Sequence, residues 1–455
     1  MQLSGKFQFD ASRRLFLTRG AAFAAMLAAP RFAEALPGAL EGEAAGVRPS
    51  ESDQTRALQR ALDQAARQGR PLALGPGLYR AAGLVLADGA VLVGAGEGTR
   101  LELAGRGPLL SARGGKRVAL RGLRLDGSNF PAGAQAGVIE ASDVDELVLD
   151  EVAIVDAGGS AVALARTGGA VRDCRIENAR QAAVFSMDGK GIAVTDCSIK
   201  GCRNNAVVIR RNEKGDEPTV ISRNRIEDTG AIDGGLGWNG NGVNVSKAGG
   251  VVVSGNAIRR SAFTAVRAHQ ADDVMITDNL CLGCGEVALF VEYGFSGAVV
   301  SSNVVDGSGN GIAVVNFNEG GRLATVTGNL VRNLFKRPQL DQPGESYGVG
   351  ISVEADTAVT GNTIENAPAF GVLAGWGPYL RDVTVSGNVV RGCGVGVGVS
   401  VVEGVGPASI TGNVITGSKD GAVRGYRWTE ATTPDLTSGG AGRFPGLTVA
   451  QNTVR

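Results

Sequence analysis

The sequence predicts an all-β fold in which a single chain winds into a parallel β-helix, or β-solenoid. A short phrase, Gly-Asn-x-Ile or Gly-Asn-x-Val, recurs through the second half of the chain, as in Gly361-Asn362-Thr363-Ile364. Apolar residues near it alternate with period two, as in Val397-Gly398-Val399-Ser400-Val401, which is typical of short strands. Glycine accounts for 70 of 455 residues and aromatic residues for 5%, which favours a narrow coil with many turns. Such repeats bury their apolar side chains by stacking on one another, so the repeat defines the fold.

The spacing of the repeat indicates a coil with a fixed minimum circumference. It runs from 22 to 39 residues, as expected if longer loops project from some turns. The anchor position of the phrase holds Val152, Cys174, Cys197, Asn224, Asn256, Asn279, Asn303, Asn329, Asn362, Asn388, Asn413 and Asn452. We expect the Asn residues to form a ladder, each amide hydrogen bonding to the turns above and below. A leucine-rich repeat shares this period, but it requires recurring Leu-x-x-Leu-x-Leu spacing and usually a helix in each unit, which these repeats do not show.

The first 35 residues have the features of an export signal. Ser12-Arg13-Arg14-Leu15-Phe16-Leu17-Thr18 matches the twin-arginine pattern except at Thr18, and an apolar stretch and Ala33-Glu34-Ala35 follow. We therefore expect residues 1–35 to be a twin-arginine signal peptide and the mature protein to be periplasmic or secreted. No apolar run reaches the ~18–20 residues needed to span a bilayer, so we expect no membrane span, and we expect a monomer.

Residues 36–105 are predicted to form an N-terminal cap and the first turns, and residues 106–455 the β-helix itself. A helix is expected at about residues 52–68, with Ser52 as its N-cap, an apolar stripe from Ala57 to Ala65, and Gly69 as its end. An amphipathic helix across the open end of a solenoid covers its apolar interior and its unpaired strand edge. The cap and the repeats would then form one continuous body.

Three segments between Asp53 and Gly96 resemble the N-terminal part of the pectate-lyase-like superfamily of right-handed β-helix proteins. They are the helix at residues 53–62, the turn at 75–79 and the stretch at 93–96. The signal segment followed by the repeats also resembles a family of uncharacterised twin-arginine-translocated repeat proteins. The resemblance covers nearly the whole chain and implies a right-handed coil. It leaves the activity open, because the superfamily includes lyases, hydrolases, epimerases and proteins that are not enzymes.

The six cysteines are expected to be free and buried. Cys202, Cys284 and Cys393 each fall five places after an anchor, in a column of small residues, on turns too far apart for a disulfide. Cys174 and Cys197 occupy the same position on adjacent turns, about 5 Å apart, and whether they pair is left open. No cluster of His and Cys has the spacing of a zinc site.

Candidate site residues emerge when the strand after each anchor is aligned on its first apolar residue, for example Val243, Val266, Leu289, Ile312 and Val349. Outward positions then form columns. Polar side chains concentrate on the middle turns, whereas the turns before residue 200 carry few polar side chains in these columns. We predict as catalytic residues Lys247, Arg267, His269, Glu292 and Tyr293. We predict as substrate-binding residues Asn244, Asn316, Glu354, Trp376 and Tyr426. Long insertions at 229–241, 333–347 and 427–446 would wall a groove over them.

These residue types favour chemistry on an acidic polysaccharide. Arg267, Lys247 and Tyr293 are of the types that neutralise a uronate carboxylate and transfer a proton in β-elimination, and Glu292 would orient His269, the only histidine. One interpretation is therefore an exported polysaccharide lyase or epimerase. The alternative is a non-catalytic envelope or glycan-binding β-helix protein, and the sequence does not separate the two.

Other classes of partner and cofactor find less support. A hydrolase needs two carboxylates ~5–9 Å apart, for which Glu292 with Glu319 or Glu354 is the candidate pair. The formal net charge is zero, and without residues 1–35 the chain has 40 basic and 43 acidic residues, so no nucleic-acid surface is expected. No cofactor or metal is predicted. Calcium is the one alternative, because acidic residues cluster at 272–278, although they form no clear motif.

Overall fold

The structure, a computed structural model, describes residues 38–133, 135–235, 237–316, 320–336 and 347–455. The predicted signal peptide at residues 1–35 lies outside these ranges, and so does Glu319. The described residues form one parallel β-helix, and the predicted fold class is confirmed. Among them, no helix is long and apolar enough to cross a membrane.

Each turn of the coil contributes strands to two sheets. Sheet B contains fifteen strands, of which the last pairs antiparallel with its predecessor and the others pair in parallel. Its strands are Leu84–Leu86, Leu110–Arg113, Gly137–Ser142, Ser160–Ala165, Ala182–Met187, Asn205–Asp216, Asn241–Gly249, Val266–His269, Val287–Glu292, Asn310–Val315, Val349–Val353, Phe370–Ala374, Val395–Ser400, Val423–Arg427 and Glu430–Asp435.

Sheet A contains thirty parallel strands, two short ones per turn through most of the coil. They are Leu40–Glu41, Ser50–Asp53, Leu72–Ala73, Gly77–Ala81, Val91–Val93, Thr99–Leu103, Arg117–Asp126, Glu146–Val155, Gly169–Arg172, Arg175–Glu177, Ile192–Thr195, Ser198–Lys200, Val220–Ser222, Arg225–Glu227, Val252–Ser254, Ala257–Arg259, Val274–Thr277, Leu280–Leu282, Ser296–Ser301, Val304–Asp306, Arg322–Thr327, Leu330–Arg332, Ala355–Thr360, Thr363–Glu365, Arg381–Ser386, Val389–Arg391, Ala408–Thr411, Val414–Thr416, Leu447–Ala450 and Thr453–Val454.

The Gly-Asn phrase lies at the corner between the two sheet A strands of a turn. Gly255 has φ +66°, in the left-handed region that a residue without a Cβ adopts without strain. In other turns the same place holds a residue with a side chain, such as Asp278 or Ser302, with φ of 58° and 57°. Glycine in the phrase therefore serves the backbone of the corner, which explains why it is frequent there but not invariant.

The Asn residues of the phrase form the ladder that the sequence predicts, and that prediction is confirmed. Asn256 Nδ2 donates to Asn279 Oδ1 at 2.9 Å and to the main-chain carbonyl of Ile221 at 2.9 Å. Asn256 Oδ1 accepts hydrogen bonds from the main-chain N–H and from Nδ2 of Asn224. The same pattern links Asn224, Asn256, Asn279, Asn303, Asn329, Asn362, Asn388, Asn413 and Asn452. Each buried amide thus satisfies its donors and its acceptor, which removes the cost of burying it.

The interior of the coil is a stack of apolar side chains from all sides of each turn. The inward column of sheet B runs in register through Val162, Val184, Val207, Val243, Val266, Leu289, Ile312, Ile351, Val372, Val397 and Val423, all fully buried. The sequence alignment placed Val349 in this column, and that was wrong, because Ile312 pairs with Ile351. A shift of two residues preserves the alternation of inward and outward side chains, so the pattern alone did not reveal it.

An amphipathic helix caps the N-terminal end, as predicted, but it is shorter than expected. It spans Thr55–Arg67, and Asp53 rather than Ser52 accepts from the first turn, through Oδ1 to Thr55 N–H at 2.8 Å. Ser52 lies in a strand. Gly69, with φ +60°, follows the helix as predicted. Gln59 exchanges two hydrogen bonds with the main chain of Val85, in the first strand of sheet B, so the helix covers that open edge.

In the described part of the chain, four short 3-10 helices and the cysteines complete the fold. The 3-10 helices are Gly96–Gly98, Gly377–Tyr379, Leu436–Ser438 and Ala441–Arg443. All six cysteines are buried and free, including the stacked Cys174 and Cys197. The neighbouring Cys174 thiol lowers the pKa of Cys197, whereas burial raises the pKa of Cys202 to about 12. The cysteines therefore act as small apolar side chains of the interior.

Glu217 is a fully buried carboxyl group that no sequence pattern indicated. Glu217 is fully buried at the end of the strand Asn205–Asp216, where Ser186 Oγ donates to its Oε1 at 3.3 Å. Arg211 Nη1 lies 3.8 Å from Oε2, which has no hydrogen-bond partner among the described atoms. Burial raises the pKa of Glu217 to about 7, against the opposing effect of Arg211.

We expect Asn303→Ala to destabilise the protein by about 3 kcal/mol or more. The substitution leaves the N–H and Nδ2 of Asn279 and the carbonyl of Ile276 in the interior without their hydrogen-bond partner. The matched control is Asn452→Ala at the last position of the ladder, where the side chain is only partly buried. It should cost about 1 kcal/mol, because water can replace the lost partners. Urea unfolding followed by circular dichroism measures both. A loss for Asn303→Ala that is no larger than about 1 kcal/mol would show that the ladder does not stabilise the interior.

We expect Glu217→Gln to gain stability relative to the wild type as the pH rises. The folded pKa of about 7 lies above the ordinary 4.5, so the folded state holds the proton more tightly and the wild type loses stability between pH 4.5 and 7. At about 1.4 kcal/mol per pKa unit, the difference between variant and wild type should grow by roughly 3 kcal/mol from pH 4 to pH 8. The measurement is urea unfolding at both pH values. Glu213→Gln, exposed on the same strand, is the control and should show a constant difference.

Candidate functional site

The outer face of sheet B is partly covered by the segment that precedes the strand Asn241–Gly249. Three asparagines bind this segment: Asn205 Nδ2 donates to the Trp238 carbonyl at 3.1 Å, Asn244 Nδ2 donates to the same carbonyl at 2.9 Å, and Asn241 Nδ2 donates to the Gly237 carbonyl at 3.2 Å. The segment belongs to the insertion at 229–241, which was expected to wall a groove. Its hydrogen bonds hold the Trp238 side chain beside the middle turns of the sheet.

Arg267, His269 and Glu292 form a cluster beneath this segment. His269 and Glu292 are register partners on adjacent turns, as the repeat frame predicts. Arg267 Nη2 forms an ion pair with Glu292 Oε1, and His269 Nδ1 lies 3.1 Å from the same oxygen. Their side chains are 7%, 19% and 4% exposed for Arg267, His269 and Glu292 respectively, so His269 is the member of the cluster that solvent reaches most.

The surroundings of His269 Nδ1 favour one tautomer of the ring. Glu292 Oε1, an acceptor, lies 3.1 Å from Nδ1, whereas Arg267 Nη2, a donor, lies 3.4 Å from it. The shorter contact with the carboxylate favours a proton on Nδ1. Nε2 then has the free lone pair and can accept a proton from a bound molecule. Glu292 thus orients the ring and selects its tautomer, as in other carboxylate–histidine pairs.

Aromatic rings and a glycine shape the surroundings of the cluster. The Trp238 ring lies 6.1 Å from the His269 ring, and the Tyr293 ring meets His269 edge-on at 5.6 Å. Gly237, with φ +81°, lies so close to Arg267 that a Cβ there would come within 2.7 Å of Nη2. Arg267 Nε and Nη1 are buried and have no hydrogen-bond partner among the described atoms. The guanidinium is therefore enclosed and retains two unused donors.

The other predicted site residues lie in different places. Lys247 is on the turn next to His269, and its Nζ donates to the Asn212 carbonyl at 2.8 Å. Asn316 and Glu354 are 1% and 2% exposed, and the Asn316 N–H donates to Glu354 Oε2 at 2.7 Å. The Asn316 N–H and the Glu354 carboxylate thus bind each other within the fold. Asn244 is the register neighbour of Arg267, and its Oδ1 has no partner among the described atoms.

The structure does not bring Trp376 and Tyr426 to the cluster. Trp376 follows a strand four turns beyond His269, which corresponds to roughly 20 Å along the coil. It packs against Trp428 with ring centres 5.7 Å apart, and Tyr426 packs against Phe370 at 5.1 Å. These aromatic residues form a separate region at the C-terminal end of sheet B.

Two cavities lie on the outer face of sheet B, on the N-terminal side of the cluster, and both are lined in part by Phe185. The smaller has a volume of about 140 Å³ and is lined by Ser160, Gln181, Ala182, Phe185, Asn205, Val208, Arg210, Trp238, Asn239, Asn244 and Ser246. The larger has a volume of about 650 Å³ and includes the charged residues Arg113, Glu140, Asp143, Arg166 and Asp188. We refer to these two cavities as the groove on sheet B; its lining includes Trp238, whose ring lies 6.1 Å from that of His269, and Ser246, the register partner of His269 on the adjacent turn.

The larger cavity corrects the expectation that the turns before residue 200 are bland. Several of its charged side chains stand at strand ends and in the following turns, outside the aligned columns. Arg166 makes two hydrogen bonds to Asp143, at 2.6 and 2.8 Å, which bridges adjacent turns. Charges just after each strand, at positions 143, 166 and 188, were the sequence signal that could have identified it.

Among the described residues, no three His, Cys, Asp or Glu side chains converge as metal ligands. In the acidic segment at 272–278, Asp272 is already engaged. Its Oδ1 accepts from the Ser296 N–H and lies 2.8 Å from Lys214 Nζ. This carboxylate serves to join neighbouring turns and the arm at 211–216.

Comparisons with known proteins identify the family. The chain matches the family model described as "Right handed beta helix region" over residues 113–236, 160–331 and 211–390. None of the curated proteins matches it. Among solved structures, the pre-mature bacteriophage phi29 gene product 12 has a TM-score of 0.51 at 13% identity, with 84% of this chain and 69% of that chain covered.

Two further structures resemble the chain less well in superposition. The catalytic unit of thermostable GH87 alpha-1,3-glucanase from Streptomyces thermodiastaticus strain HF3-3 gives a TM-score of 0.47 at 14% identity over 93% of this chain and 70% of that chain. The A-module of the Azotobacter vinelandii mannuronan C-5 epimerase AlgE6 gives 0.42 at 16% identity over 91% and 99%. At these identities the likeness concerns the fold. The family match extends over more than half of the sequence, and the chain belongs to the right-handed β-helix region family.

Proposed function

We propose that the protein acts on an acidic glycan by removing the proton next to a uronate carboxyl group. The observation that carries this proposal is the His269–Glu292–Arg267 cluster, which lies next to Trp238 in the lining of the groove on sheet B. A histidine whose Nδ1 is held by a carboxylate presents Nε2 as a base. The adjacent guanidinium supplies positive charge where negative charge develops on the substrate.

The chemistry of this step uses side chains that the structure brings together. His269 Nε2 takes the proton from the carbon beside the carboxylate, and the electron pair of the broken C–H bond moves into the carboxyl group. The positive charge of Arg267, next to His269, stabilises that negative charge. If the neighbouring C–O bond then breaks, its electron pair leaves with the oxygen and the reaction is a β-elimination. If the carbon is reprotonated from the opposite face, the reaction is an epimerisation.

Tyr293 is the candidate for the second proton transfer. Its ring lies edge-on to His269 at 5.6 Å, at the turn that follows the strand Val287–Glu292. A phenol can donate a proton to a leaving oxygen or to a carbanion, and it can be restored by solvent. Tyr293 lies in a turn with φ +50°, and this main-chain conformation fixes the direction of its Cα–Cβ bond.

The proposed substrate would be met outside the cytoplasm. We propose that the twin-arginine segment at residues 12–18 directs the folded protein to the periplasm or the medium, where polysaccharides are accessible. Free, buried cysteines suit a protein that folds in a reducing compartment before transport.

The experiment incubates wild-type protein with a panel of uronate-containing polysaccharides in D2O. Proton removal should give unsaturated uronate ends, detected by ultraviolet absorbance, or deuterium on the ring carbon, detected by nuclear magnetic resonance. His269→Gln should lower the rate by about 10²–10⁴-fold, the usual contribution of a general base. Arg391→Gln is the control. Arg391 is an exposed residue of sheet A, so this substitution should leave the rate unchanged.

Three results would contradict the catalytic proposal. New reducing ends without deuterium or unsaturation would indicate hydrolysis instead. A His269→Gln variant that is folded and fully active would remove the cluster from the mechanism. Retention of an acidic glycan without any product would favour the second candidate, a glycan-binding protein. The enclosed Arg267–Glu292 ion pair also suits that candidate, because it stiffens the sheet beside the groove.

A further inference from the structure

The smaller cavity on sheet B has an unusual balance of charge. Its lining includes one cation, Arg210, and no Asp or Glu, and its other polar residues are amides and hydroxyls. The larger cavity beside it carries charges of both signs. A small concave site with a single positive charge and several neutral donors and acceptors suits a ligand with one negative charge. We call it the Arg210 cavity, defined by the lining residues given above.

The guanidinium of Arg210 has no ion-pair partner in the described part of the chain. Neighbouring arginines are paired: Arg166 with Asp143, Arg211 with Glu217, and Arg267 with Glu292. Arg210 instead has its guanidinium carbon 4.5 Å from the centre of the Trp238 ring, and no ion pair to it occurs among the described residues. Stacking on an aromatic face holds a guanidinium in place and leaves its in-plane N–H donors available.

The walls of the cavity are held by hydrogen bonds before any ligand binds. The Trp238 carbonyl accepts from Asn205 and from Asn244, so the stacking platform under Arg210 is fixed to sheet B. Asn244 is 3% exposed, and its Oδ1 has no partner among the described atoms. A buried acceptor without a partner fits a hydroxyl donor from a ligand. The cavity therefore offers both a site for an anion and a site for a hydroxyl group.

We propose that the Arg210 cavity binds one uronate residue of the glycan, with Arg210 holding its carboxylate and Asn244 Oδ1 accepting from a hydroxyl group. This inference rests on the proposed function, because it names the part of the substrate that selects the acidic chain. Arg210, Ser246 and His269 are register partners on successive turns, so Arg210 stands two turns, or roughly 10 Å, from His269. The bound residue therefore lies beside the reacting one and positions it. Arg210 is a specificity-determining residue of the groove.

The experiment compares two forms of one ligand, a short oligouronate and the same oligosaccharide with its carboxyl groups reduced to alcohols. Isothermal titration calorimetry measures binding to the wild type and to Arg210→Gln, Arg210→Lys and Arg391→Gln. The wild type and Arg391→Gln should prefer the acidic form. Arg210→Gln should lose about tenfold or more in affinity for the acidic form, as expected for a charge-assisted hydrogen bond, and should keep its affinity for the reduced form. Arg210→Lys should fall between them, because a lysine keeps the charge without the planar donors.

Several outcomes would overturn the inference. They are equal binding of both forms by the wild type, an equal loss for both forms in Arg210→Gln, an unchanged affinity for the acidic form, and preference for a sulfated neutral oligosaccharide over the oligouronate. Thermal unfolding of each variant confirms that it is folded. Failure of the proposed function is distinguishable: binding that depends on Arg210 without proton exchange in D2O would remove the catalytic proposal and leave this inference standing. Proton exchange with selectivity that does not depend on Arg210 would do the reverse.

Discussion

The in-register stacking of one turn on the next is the constraint on which the rest of this structure depends. Parallel strands exchange main-chain hydrogen bonds with the turns above and below, and the asparagine ladder repeats that connection with side chains inside the coil. Asparagine suits the position because its amide has a donor and an acceptor on one rigid group, so each residue satisfies its neighbours in both directions. Any slip between turns would break both sets of bonds and would also displace the apolar columns.

This register determines which side chains become neighbours on the outer face of sheet B. Residues that lie one period apart in sequence become neighbours, and this is how His269 and Glu292 meet. The stacked turns supply a rigid floor, and the insertions supply the walls. The Trp238 segment covers Arg267, and the Trp238 ring stacks against the Arg210 guanidinium. Trp238 lies in neither the strand of Arg267 nor the strand of Arg210. A site of this kind combines rigid positions from the repeat with side chains from a loop.

The sequence located much of the candidate site but grouped with it several residues that lie elsewhere. It brought Arg267, His269 and Glu292 together because the repeat frame is regular between residues 243 and 292. It grouped Trp376 and Tyr426 with them because it treated one face of the coil as one site, whereas those residues stand several turns away. It could not tell that Asn316 and Glu354 bind each other in the interior, because burial of a turn depends on the loops packed over it. The larger cavity was missed because several of its charges follow the strands.

The sequence by itself determined the period, the ladder, the inward columns and the capping helix of this protein. These features rest on contacts between adjacent turns, which recur at nearly constant separation and therefore leave a periodic pattern. Only the tertiary structure decided which charges pair, which carboxyl group is buried, and where the cavities lie. The buried Glu217 and the stacking of Arg210 on Trp238 depend on how irregular insertions pack across the coil. Such contacts occur once each, and so no repeat in the sequence records them.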